Sequence, residues 1–169
     1  MKTIRFILLI TVFHCSLQLF SQTKQDTVTI RLLKIKNSTF DSVLNDIISS
    51  FKKCESYSTS FVFAIVITKK KPEKYLIRID PVENKNLILN KSIRNIFGKP
   101  YGCLYYSGHL LIVSGMNPDD LFIQSNRTER FFSNNEPLIP IIADYTIWYY
   151  SYNKGTIELL KVENECGNE

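Results

Sequence analysis

Few side chains in this chain could do chemistry, and their spacing restricts them further. There are two histidines. His14 lies in an apolar leader, so His109 is the one imidazole available to the rest of the protein. A Ser-His-Asp or Cys-His arrangement could be assembled only around it. Its place beside Tyr106, at the end of a hairpin pattern, reads first as structural. No G-x-S-x-G, H-E-x-x-H, P-loop or G-x-G-x-x-G occurs. Acid–base hydrolysis of a glycoside needs two carboxyl groups facing each other across a cleft, and the candidates are Asp119, Asp120, Asp144 and Glu158. Asp119 and Asp120 follow Asn117-Pro118, which reads as a helix start with acids at its positive end. With no C-x-x-C and one histidine outside the leader, no metal site is expected, and no other cofactor.

Aromatic side chains offer a second kind of chemistry, recognition. Tyr145, Trp148, Tyr149, Tyr150 and Tyr152 fall within eight residues. Strand alternation places Trp148, Tyr150 and Tyr152 on one face, and Tyr145, Ile147 and Tyr149 on the other. Trp148, Tyr150 and Tyr152 are the candidate binding residues. Such rings give large contact area with a polar tip, which suits a protein or an envelope glycan. The same alternation also fits a strand buried by the 117–140 segment. A three-residue turn at Asn153-Lys154-Gly155 would put Glu158 on the Trp148 side.

The first 22 residues set the compartment. Lys2 and Arg5 precede an uncharged run from Phe6 to Phe13, and Ser21-Gln22 follow. A basic start, a short apolar middle and a small residue near a cut site make a secretory signal peptide. The run is short of the ~20 apolar residues of a membrane-spanning helix, and Phe13-His14 are too large to precede a lipidated Cys15. The expected product is residues 23–169, exported to the periplasm or beyond, as a single domain with a frayed C-terminal tail. It keeps Cys54, Cys103 and Cys166. Export permits a disulfide among them, with one thiol left over, or none at all. Losing Lys2 and Arg5 takes the net charge from +5 to +3. The main basic run, Lys69-Lys70-Lys71 beside Pro72, reads as a solvated turn. Nucleic acid is not an expected partner.

The elements that would position these residues follow from periodicity. Residues 27–36 alternate as a strand, with a phase slip at Leu32-Leu33 that a bulge would explain. Residues 38–53 carry Phe40, Val43, Leu44, Ile47, Ile48 and Phe51 at helical spacing, with Ser38 and Asp41 as a start signal. The run from Phe61 to Ile67 reads as a central strand, hairpinned to residues 75–79. Residues 87–97 look helical. Residues 102–113 form a hairpin turning at Ser107-Gly108, so that Tyr106 faces His109 and Leu104 faces Leu111. Residues 126–140 look irregular, and residues 145–151 and 156–162 make the last hairpin. The predicted fold is α+β. It has a mostly antiparallel sheet of about six or seven strands, the 38–53 helix packed on it, and one or two short helices.

Across residues 27–113 this order resembles the small β-α-β domain at the start of secretins and TonB-dependent receptors. The matching fragments are Val28-Thr29-Ile30, Phe40-Asp41-Ser42-Val43-Leu44 and residues 104–112. They describe an amphipathic helix and a hairpin, and no function or site is carried over from them. The function expected from the sequence is a non-enzymatic binding or accessory module of the cell envelope. A hydrolase using carboxylates and a purely structural envelope subunit are the alternatives.

Overall fold

The computed structural model describes residues 26–54, 60–90, 94–118, 120–133 and 145–164. In chain order the elements are β1 (Asp26–Ile35), α1 (Ser38–Phe51), β2 (Val62–Lys71), β3 (Lys74–Val82), α2 (Lys85–Leu89) and α3 (Arg94–Phe97). Then follow β4 (Pro100–Tyr106), β5 (His109–Gly115), β6 (Phe122–Ser133), β7 (Ile147–Asn153) and β8 (Thr156–Glu163). All eight strands join one sheet in the order β6-β1-β4-β5-β2-β3-β7-β8.

This architecture corrects the α+β expectation. The chain is mostly β, and its sheet is mixed, with eight strands instead of six or seven. β1 runs parallel to β4, and β2 runs parallel to β5. The parallel pairs arise because α1 carries the chain from β1 to β2 and the β4–β5 hairpin later inserts between them. Local hairpin signals carry no trace of such an insertion. The eighth strand is β6, in a stretch that reads as partly irregular. It is an edge strand with much of its length in solvent, so its polar positions outnumber the apolar ones that reveal a strand.

Local physical chemistry accounts for the rest. Asn37, rather than Ser38, caps α1: its side-chain oxygen accepts from the Phe40 N–H at 2.9 Å, satisfying one of the orphan donors of the first turn. The helix stops at Phe51 with Lys52 as C-cap. Two hairpin turns, Ser107-Gly108 and Lys154-Gly155, place both central residues at positive φ (48° and 86°, then 47° and 86°). That turn matches the twist of paired strands, and glycine adopts its second position without steric cost. The expected pairs Tyr106↔His109 and Leu104↔Leu111 are observed. The segment 87–97 divides into α2 and α3, and Asn117-Pro118 opens a turn closed by Leu121 N–H to the Pro118 carbonyl at 3.1 Å.

Both faces of the sheet are covered. On one, Phe40, Leu44, Ile47, Ile48 and Phe51 of α1 pack onto Phe61, Phe63, Ile65, Ile77 and Ile79. On the other, Ile88 and Leu89 of α2 cover Val62, Ala64, Val82 and Ile112. Central strands buried on both faces explain the unbroken apolar run Phe61–Ile67. Among the described residues no helix is long and apolar enough to cross a membrane.

Candidate functional site

The three rings read as a binding face lie in the core. Trp148, Tyr150 and Tyr152 are 5 %, 8 % and 1 % exposed and belong to the cluster under α1. Trp148 meets Phe51 edge to face, centroids 6.3 Å apart. The Tyr152 hydroxyl donates to Asp120 and accepts from the Gly155 N–H at 3.1 Å. Burial, then the Asp120 carboxylate, raises the Tyr152 pKa. These rings therefore offer no surface to a ligand. An apolar helix stripe must cover something, and β7 passes beneath the end of α1. Tyr145 precedes β7 and packs on Phe61, centroids 5.1 Å apart, on the helix side of the sheet.

Other chemistry-bearing candidates are engaged in structure. His109 is buried, with Nδ1 3.1 Å from the Phe61 carbonyl and its ring edge-on to Phe63. Asp120 is taken by Tyr152. Glu158 pairs with Ser151, so it shares the Tyr149 face, opposite Trp148. The turn has two residues where three were expected, which shifts the register by one. Asp120 and Glu158 thus do not converge, and Asp119 and Asp144 lie outside the described residues. No metal-binding group of His, Cys, Asp and Glu occurs among the described residues. Cys54 is disulfide-bonded and Cys103 is a buried free thiol; Cys166 lies outside the described residues. Burial, then Glu129, pushes the Cys103 thiol up to about 11, which keeps it protonated and unreactive near neutral pH.

On the face opposite α1, the β3-β7-β8 end closes on itself. Arg78, Tyr149 and Lys161 form one cross-strand row. Arg78 Nε donates to Asp80 at 2.8 and 3.0 Å, and its guanidinium lies 5.8 Å from the Phe97 ring centroid. Tyr149 donates to Glu163 at 2.8 Å, and Lys161 pairs with Glu163 while lying over the Tyr149 ring. Burial raises the Asp80 pKa, with Arg78 opposing. Arg78 and Asp80, and Lys161 and Glu163, are thus paired with one another.

The β6-β1-β4 end is different. β1 meets β4 at a single registered pair, Leu32↔Cys103. Between β1 and β6 the register jumps from Arg31↔Thr128 to Leu33↔Gln124, so Ser125, Asn126 and Arg127 stand opposite Leu32 alone. The Arg127 N–H donates to Ser125 Oγ at 3.1 Å, and Arg31 to Gln124 Oε1 at 2.6 Å; both bonds hold this bulge. Gly102 is what lets β1 lie this close. A Cβ there would sit 2.4 Å from Leu33 Cγ, inside van der Waals contact. Where the strands part lies a pocket of about 330 Å³, lined by Leu32, Leu33, Lys34, Leu104, Tyr105, Ser125 and Arg127. That volume is at the lower end of small-ligand sites, ~300–1,000 Å³. Its leucines make an apolar floor. Lys34 and Arg127 are exposed and have no ion pair with any described residue. Tyr105 is 61 % exposed, its hydroxyl 3.4 Å from Glu129.

The aromatic strand contributes no residue to this pocket. The one signal that touches it is the phase slip at Leu32-Leu33, which marks the irregular pairing that opens the pocket. Comparison with protein families, with curated proteins and with solved structures found no match.

Proposed function

We propose that this chain is an exported, non-enzymatic binding module of the cell envelope, and that its binding site is the parting between β1 and β4. The observation that carries this reading is the pocket itself. It joins leucines at its base to two exposed cations that have no ion pair with any described residue, and its lining holds no general base or activated nucleophile. Elsewhere His109, Asp120 and Cys103 are held in bonds or buried. The signal-like leader and the Cys54 disulfide both support an oxidising compartment outside the cytoplasm.

Site-specific photocrosslinking in cells tests it. The full chain carries a benzophenone amino acid in place of exposed Tyr105, or of exposed Leu159 at the far edge. Intact mass of the protein recovered from the envelope fraction reports leader removal and one disulfide. A discrete adduct from position 105 and none from 159 is the expected outcome. Identical patterns from both positions, or a full-length reduced protein in the cytoplasm, would sink the reading.

A further inference from the structure

We propose that the pocket between β1 and β4 binds the C-terminal end of a polypeptide, with an apolar last side chain on its leucine floor and its α-carboxylate held by Lys34 and Arg127. This deepens the binding-module reading and rests on it.

Two observations favour a peptide. First, β1 from Leu33 to Ile35 is paired with β6 on its outer side, and β4 from Leu104 to Tyr106 with β5 on its outer side. No ladder joins the two edges that face each other beyond Leu32↔Cys103. Facing strand edges present N–H and C=O groups in a row, and an extended peptide satisfies such groups where an acyl chain cannot. Second, charge and apolarity are separated. Leu33 and Leu104, 5 % and 4 % exposed, lie at the base of the opening beside half-buried Leu32, and the cations stand in solvent at the rim. A guanidinium and an ammonium with no ion pair among the described residues complement an incoming carboxylate, with Glu129, at the Tyr105 hydroxyl, as the opposing charge on this edge, and charge-assisted bonds of this kind are the strong ones. A C-terminus offers both features in one residue. An acidic side chain would bring the charge without the aliphatic group beside it.

The test uses a fluorescein-labelled hexapeptide ending in Leu, made as the free acid and as the C-terminal amide, with fluorescence anisotropy against the exported full chain. The free acid should bind, and the amide should bind at least about tenfold more weakly. Lys34→Ala and Arg127→Ala should each weaken the free acid by at least about tenfold and leave the amide unchanged. Both side chains are exposed, so unchanged circular dichroism and Tm would show that each variant is folded. Replacing the terminal Leu by Asp should also abolish binding. Equal affinity for acid and amide, or insensitivity to both substitutions, overturns the proposal. So does displacement of the peptide by octanoate at its own micellar-free affinity with no preference for peptide, which would make this a site for fatty acids. Absence of binding by either peptide overturns it as well. In each of these cases a position-105 adduct in cells would leave the module reading standing and remove only the ligand class.

Discussion

The two ends of the sheet are built from similar residue types and differ in how their charges are settled. At the β3-β7-β8 end, Arg78 meets Asp80, Lys161 meets Glu163, and Tyr149 joins them across the strands. At the β6-β1-β4 end, Lys34 and Arg127 have no such partners among the described residues, and the ladder is interrupted. The Arg78–Asp80 and Lys161–Glu163 charges face one another, and those of Lys34 and Arg127 stand at an opening. Aromatic density in this chain therefore does not mark an exposed face. Tyr145, Trp148, Tyr150 and Tyr152 lie under α1, and Tyr149 joins the charged row on the opposite face.

Substitutions can break or sharpen this contrast. The largest effect should come from the closed end. Phe51→Ala and Trp148→Ala remove rings that pack on one another and on Phe61 and Phe63. Each should lower the unfolding free energy by about 3–5 kcal/mol in urea denaturation. A change below about 1 kcal/mol would mean that the helix does not cover these rings.

Gly102→Ala comes next. The added methyl group meets Leu33, and overpacking of this kind costs about 1–3 kcal/mol. It should also reshape the pocket, so peptide affinity and stability should fall together. If affinity survives, Leu33 does not form the floor.

The tyrosines give a pH-dependent effect at the closed end. Burial, then a hydrogen bond to Glu83, pushes Tyr145 up to about 12, and Tyr152 is raised by burial and Asp120. An unfolded phenol ionises near its ordinary value of about 10, so above that pH the unfolded chain releases protons that the native state keeps. Stability should fall as pH rises through that window. Tyr152→Phe should flatten part of this slope and cost about 1–3 kcal/mol at neutral pH by stranding its partners. An unchanged alkaline profile would show that Tyr152 is not held in this way. Asp80 acts in the same sense at acid pH. Its carboxyl is raised by burial, so its contribution is present below the ordinary carboxylate value and is lost as pH rises through the raised one.

Lys34→Ala and Arg127→Ala should do least to stability, within about 0.5 kcal/mol, because neither side chain is tied to the fold. A larger loss would place these cations in the structure rather than at a site.

How much of this was legible depended on whether the signal was local. The α1 stripe and the register of the β4–β5 hairpin could be read because an amphipathic period and a turn pair are properties of a few adjacent residues. Strand order could not, because β4 and β5 enter between β1 and β2 long after both are made. β6 was hidden by exposure, since Gln124 to Arg130 carry polar side chains through the bulge. The burial of Trp148, Tyr150 and Tyr152 was half legible. Alternation put them on one face, and only the path of α1 decided that this face is the covered one. The slip at Leu32-Leu33 was visible as an irregularity, but its consequence depends on β4 and β6, which arrive from elsewhere in the chain.

Hydrogen exchange, resolved by residue, tests the contrast most directly. In the free protein the amides of Leu33–Ile35 and Leu104–Tyr106 that face the parting should exchange much faster than those of Ile77–Ile79 in the closed end. Adding a peptide with a free carboxylate should slow the first group and leave the second unchanged. Equal protection of both groups in the free protein, with no response to the peptide, would contradict an open, ligand-accepting edge between β1 and β4.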